Sequence, residues 1–171
     1  MTNRTISIQS KAIALAFVLA LAILNPGSAL ATAGGADRPV NGTASGTISV
    51  NQVTGAVVGD ATGVTSHLGK TGIHFEGTVA PTEEEGTFAG SAAVTIVAGN
   101  GDQLTGTAAV TSTATPTGGT TTVVVEITGG TGRFANASGT LTVICLSGAS
   151  SQVGQMLVSE IECKATGRLS Y

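Results

Sequence analysis

The chain has 171 residues, of which 42% are apolar, 10% charged and 3% aromatic, with 25 Gly, no Trp and two Cys. That length allows one domain with its own core, and the low charge with a Thr/Val/Ala/Gly bias excludes coiled coils and helical bundles. The balance is acidic and lacks Lys/Arg clusters or an aromatic stacking platform, which argues against nucleic acid and anionic membrane as partners.

The N-terminus reads as an export signal. Arg4 and Lys11 precede an unbroken apolar run from Ala12 to Leu24, followed by Asn25, Pro26 and small residues. The run falls short of the ~20 residues a membrane-spanning helix needs, and Ala29-Leu30-Ala31 supplies a small-x-small cleavage pattern. Cleavage is expected after Ala31, with Ala33 as the alternate, giving a secreted, extracellular or periplasmic protein with no stable membrane span. The mature chain then carries five basic and ten acidic side chains, a net charge of −5. Residues 32–40 are expected to be a flexible N-terminal segment and 41–171 the folded domain.

Beyond residue 40, apolar residues alternate with polar ones at period two between glycine-bearing breaks, the pattern of half-buried strands. The first strand is expected over about Gly42 to Val50, the second over Val57 to Leu68 and the third over Thr71 to Val79. Gly69-Lys70 is read as a two-residue hairpin loop between the last two. After Pro81 and Glu83-Glu84-Glu85, a fourth strand begins near Gly86, and Gly99-Asn100-Gly101-Asp102 turns it antiparallel into a fifth carrying Leu104, Gly106, Ala108 and Val110. Pro116 to Gly119 breaks the chain before a sixth strand with Thr121, Val123, Val125 and Ile127. The seventh covers about Ser138 to Leu146 and the eighth about Gln155 to Arg168. Hairpin-length links without crossover helices predict an all-β fold, a single eight-stranded antiparallel up-and-down β-barrel.

The cysteines test that reading internally. A hairpin centred on Gly154 sets Cys145 directly opposite Cys163, Val143 opposite Ala165 and Leu141 opposite Gly167, all on the inward face. One register satisfies every pair, so a disulfide is expected in an oxidising compartment. Two buried free thiols are the alternative for a chain that stays reduced.

Chemistry is harder to find. The register set by Gly69-Lys70 would put His67, His74 and Glu76 on one side of the sheet, as weak candidates for ligand contact or proton transfer; a solvated face is the simpler reading, because Ile73, Phe75 and Val79 claim the interior. Glu126, Glu160 and Glu162 lie on the polar faces of their strands, with Asp60 at a strand edge and Asp102 in a turn. No CxxC, HExxH, GxSxG, phosphate-binding loop or dinucleotide fingerprint is present, so no metal and no cofactor are expected. Asn41-Gly42-Thr43 and Asn136-Ala137-Ser138 match the glycosylation sequon, which is meaningful only in a eukaryotic host.

The segment Gly129-Gly130-Thr131-Gly132-Arg133-Phe134-Ala135-Asn136-Ala137-Ser138-Gly139 resembles the GGTGxFxxAxG signature of dirigent proteins and of secreted bacterial proteins with an allene-oxide-cyclase-like barrel. His67-Leu68-Gly69 and Asn100-Gly101-Asp102 are similar to features of the bacterial members. Ser138 stands where dirigent proteins usually carry arginine. The resemblance implies an eight-stranded barrel, often trimeric, whose cavity handles lipophilic or phenolic molecules. Gly129, Gly130, Gly132 and Gly139 would serve the tight turn and close strand contact, and Phe134 would plug the barrel end or the base of the core. Three functions follow as expectations: binding of a small lipophilic ligand without catalysis; a cofactor-free isomerase, cyclase or dirigent-like orienting activity; or a structural or interaction module of the cell exterior.

Overall fold

The computed structural model describes residues 35–171; the apolar run, the cleavage position and the expected segment up to residue 34 lie outside the described residues. Nine strands follow in chain order: β1 Arg38–Asn51, β2 Ala56–Thr65, β3 Gly69–Pro81, β4 Thr87–Val97, β5 Gln103–Thr115, β6 Gly118–Gly130, β7 Ser138–Ser147, β8 Ser151–Val153 and β9 Met156–Ser170. Each of β1 to β7 pairs antiparallel with the next, β7 pairs with β9, and β9 pairs with β1, so eight strands close a barrel and β8 lies outside it. The expected up-and-down barrel is therefore the observed fold.

Closure follows from the register. Partners traced from Ile48 through Gly59, Phe75, Val94, Gly106, Ile127, Gly139 and Leu169 lead back to β1 at Arg38, ten residues before the start (48 to 38). This stagger obliges the strands to tilt and sets an interior that side chains can nearly fill. Glycine at inward positions lets neighbouring strands come close: a Cβ on Gly77 would stand 2.0 Å from the Ser91 carbonyl oxygen of the neighbouring strand. A side chain there would hold the sheet too flat to close.

Three details depart from the sequence reading. β1 begins at Arg38, so residues 38–40 belong to the barrel and not to a flexible lead: Val40 is 1% exposed, and Arg168 Nε donates to Asp37 Oδ2 at 2.6 Å. The ninth strand arises because the β7–β9 ladder lapses at Gly148–Ser150 and Ser151–Val153 then pairs with β9 again. The β2–β3 hairpin does not turn at Gly69-Lys70, which sits within β3. Thr65 faces Gly69, and the loop is Ser66-His67-Leu68, closed by the Leu68 amide donating to the Thr65 carbonyl at 3.2 Å. His67 takes a positive φ of 68°, a conformation that frees Leu68 to enter the core, where it is 3% exposed.

Candidate functional sites

The barrel has two unlike ends. At one, Phe134, Leu104 and Leu169 are fully enclosed together with Val40, Leu68, Ile127 and Leu141. The plug is the glycine-rich segment seen in the sequence. Gly130 pairs with Leu104, Thr131 Oγ1 accepts from the Gln103 amide at 2.9 Å, and Gly132 to Phe134 form one turn of 3-10 helix that drops the phenyl ring into the barrel. Gly132 has φ 55°, and a Cβ there would meet Asp102 Oδ1 at 2.0 Å; Gly139 has φ 148°, and its Cβ would meet the Arg168 carbonyl oxygen at 2.1 Å. Phe134 is wholly enclosed at this end.

The C-terminal residue completes the seal. Tyr171 stands edge-on to Phe134 with centroids 4.8 Å apart. The Arg133 guanidinium lies 4.6 Å from the Phe134 centroid and 5.8 Å from that of Tyr171, and Arg38 lies 5.3 Å from Tyr171. Arg133 Nη2 also donates to the His67 carbonyl at 2.8 Å, tying the plug to the β2–β3 loop. Sequence reading left Tyr171 and these arginines without a role, since only closure brings residues 38, 67, 133 and 171 together.

In the middle of the barrel, Cys145 and Cys163 are bonded, their Cα atoms 4.0 Å apart, and the pairs Val143–Ala165 and Leu141–Gly167 fall as the sequence predicts. Ile48, Phe75, Val143 and Ile161 pack on the disulfide. Phe75 also touches the end core, and its ring lies over the bare backbone of Gly59, where a Cβ would stand 2.0 Å from Cζ. One aromatic side chain thus bridges β3 to the β7–β9 wall and fills the barrel's waist.

Towards the opposite end, the inward residues Val50, Val79, Phe88 and Val110 are only half-buried. Hydroxyls join them: Ser112 and Thr121 share a hydrogen bond of 2.8 Å, and Ser159 one of 2.7 Å with Ser150. Among the described residues the inward strand positions towards this end carry no Asp, Glu, His, Lys or Arg; Arg38, on the inward side of β1, lies at the closed end over Tyr171.

The three sequence candidates separate. His67 is exposed in the loop at the closed end, whereas His74 and Glu76 are exposed two residues apart on the outer face of β3. The partner of His74 is Asp60, directly across on β2, with Nδ1 and Oδ1 2.8 Å apart and both side chains well exposed. That pairing was missed because it depends on the β2–β3 register. Beside it lies a shallow hollow of ≈ 410 Å³ between β1 and β4, bounded by Thr47, Asp60, Thr62, His74 and Val97 and floored by Gly72, which has no side chain to fill it. A second hollow continues it past Thr71 and Lys70. Both open on the outer wall.

Charge on that wall is unevenly spread. Asp60, Lys70, His74 and Glu76 project from β2 and β3, and Glu160, Glu162, Lys164 and Arg168 from β9. The outward side chains of β4 to β7 include one ionisable group, Glu126. No group of three or more metal-ligating side chains is found among the described residues. No family profile, curated protein or solved structure matches the chain.

Proposed function

We propose that this chain is an exported, disulfide-stapled barrel of the allene-oxide-cyclase-like or dirigent type, holding a small lipophilic or phenolic molecule at its open end without transforming it. The observation that carries the reading is the gradient of burial along the inward face. Leu104, Phe134 and Leu169 are sealed at one end, while Val50, Val79, Phe88 and Val110 remain half-buried at the other. Apolar side chains left partly in water are surface that a guest can cover, at about 25 cal/mol for each Å² removed from water. The Ser112–Thr121 hydroxyl pair offers that guest a hydrogen bond that fixes its orientation.

Simple binding is favoured over an isomerase or cyclase because the lining carries no ionisable side chain to move a proton at a reacting centre. Export is supported by the Cys145–Cys163 bond, which an oxidising compartment maintains. The test is native mass spectrometry of the secreted protein with a panel of apolar and phenolic probes, with amide shifts mapped by NMR. Probe-dependent shifts confined to Val50, Val79, Phe88 and Val110, and abolished by Val110→Phe, are expected. A barrel that takes up no probe, or takes it up only in the outer hollow beside Gly72, overturns the reading. The same spectra should give an N-terminus at Thr32 and a mass lighter by two hydrogens than the reduced chain.

A further inference from the structure

We infer that the outer hollow over Gly72 is a carbohydrate site that takes two linked sugar units of a neutral glycan. The inference is independent of any guest at the open end. Glycine in the interior of a strand weakens it, so each instance calls for a cause. Every other strand glycine among the described residues either holds a positive φ or would bring a Cβ within 3.0 Å of a neighbouring atom. Gly72 does neither: it faces outward, and a Cβ there would meet nothing within 4 Å. Neither backbone conformation nor packing requires glycine at this position. What the missing side chain leaves is the pit shared by the two hollows, of ≈ 410 and ≈ 550 Å³, both bounded by Thr62, Gly72 and Val97. A strand glycine of this kind marks a place where a ligand comes close to the backbone.

The walls of the pit select the ligand. Across the sheet, Gly72 lies between Thr62 on β2 and Val97 on β4; along β3 it lies between Lys70 and His74 on the same face. Asp60 stands across from His74, and its Oδ1 engages His74 Nδ1 at 2.8 Å, which leaves Oδ2 and Nε2 for a ligand. The rim therefore offers a carboxylate acceptor, an ammonium donor, an imidazole and a hydroxyl around a floor of bare backbone and the Val97 methyls. Sugar hydroxyls donate and accept at once, and the C–H face of a sugar ring covers an apolar floor, so a glycan uses the whole set. An anion would meet Asp60, with Glu76 close by on the same face of β3. A purely apolar guest would cover Asp60 and Lys70 without giving them partners. Two hollows joined at Gly72 fit two linked rings, one beside Asp60 and His74 and the other beside Lys70.

The experiment is amide NMR of the protein titrated with maltotetraose, cellotetraose and N-acetylchitotetraose, comparing wild type with Gly72→Val and with Asp60→Asn. At least one of these sugars is expected to shift the amides of Thr62, Gly72 and Val97, with a dissociation constant of about 1 mM or tighter. Gly72→Val should abolish those shifts and raise the melting temperature, because valine suits a strand and its Cβ enters open space. Asp60→Asn should weaken binding roughly 10-fold through loss of the charged acceptor, with a melting temperature close to that of wild type, since the His74 pair it breaks is exposed. Wild type unmoved by all three sugars, shifts confined to other parts of the barrel, phenolic probes that move these amides where sugars do not, undiminished binding by Gly72→Val, or a Gly72→Val barrel less stable than wild type would each overturn the inference.

Discussion

Phe134 and His67 show how single positions earn their places at the closed end. Phe134 is wholly enclosed, and its truncation leaves a void that the plug cannot collapse into, because Gly132 and Gly139 already bring backbone into contact with Asp102 and Arg168. Phe134→Ala should therefore cost about 3–5 kcal/mol, seen as a lower urea midpoint with an unchanged slope. His67 gives the opposite expectation. It holds φ at 68°, and Arg133 uses its carbonyl, not its imidazole. His67→Gly should raise stability by up to about 1 kcal/mol by removing the left-handed strain, measured by the same titration; a loss would show that the imidazole has a role of its own.

At the scale of elements, the β7–β9 wall is the most constrained part of the barrel. The disulfide spans a separation of 18 residues and sits under Phe75. Replacing both cysteines with serine should cost about 3 kcal/mol on loop-entropy grounds, and wild type should lose a similar amount in reductant. Gly59→Ala tests the neighbouring contact: its Cβ would stand 2.0 Å from Phe75 Cζ, so the ring must leave the waist, at about 1–3 kcal/mol. Thermal melts of Gly59→Ala and of Gly59→Ala with Phe75→Leu would then be non-additive, the second change relieving part of the first.

For the whole molecule, the gradient of burial predicts a gradient of opening. Amides beside the enclosed core of Leu104, Leu169 and Val40 should exchange with solvent only through global unfolding, whereas those near Val79, Phe88 and Ser112 should exchange through smaller openings. Native-state hydrogen exchange at low denaturant distinguishes this from a barrel uniformly protected from end to end. The acidic loop at Glu83–Glu85 connects β3 to β4 at the opposite end from the Arg133 plug, so the molecule is electrically unlike at its two poles.

Much of this was legible in the chain itself. Period-two alternation determined which side chains point inward, glycine and proline breaks determined where most strands end, and the Cys145–Cys163 register followed from requiring both thiols and their neighbours to share one face. These are local properties, set by the alternation of side chains across a strand and by what a tight turn allows. Tertiary structure alone decided the rest. The turn at Ser66-His67-Leu68 was settled by the core's demand for Leu68, not by the more obvious glycine beside it, and that shift in turn moved His67 away from His74 and gave His74 its Asp60 partner. Closure of β1 on β9 drew Val40 into the core and set Arg38 and Tyr171 against the plug. The gathering of charge from β2, β3 and β9 on either side of β1 also exists only once β9 closes on β1, because those strands come from opposite ends of the folded domain.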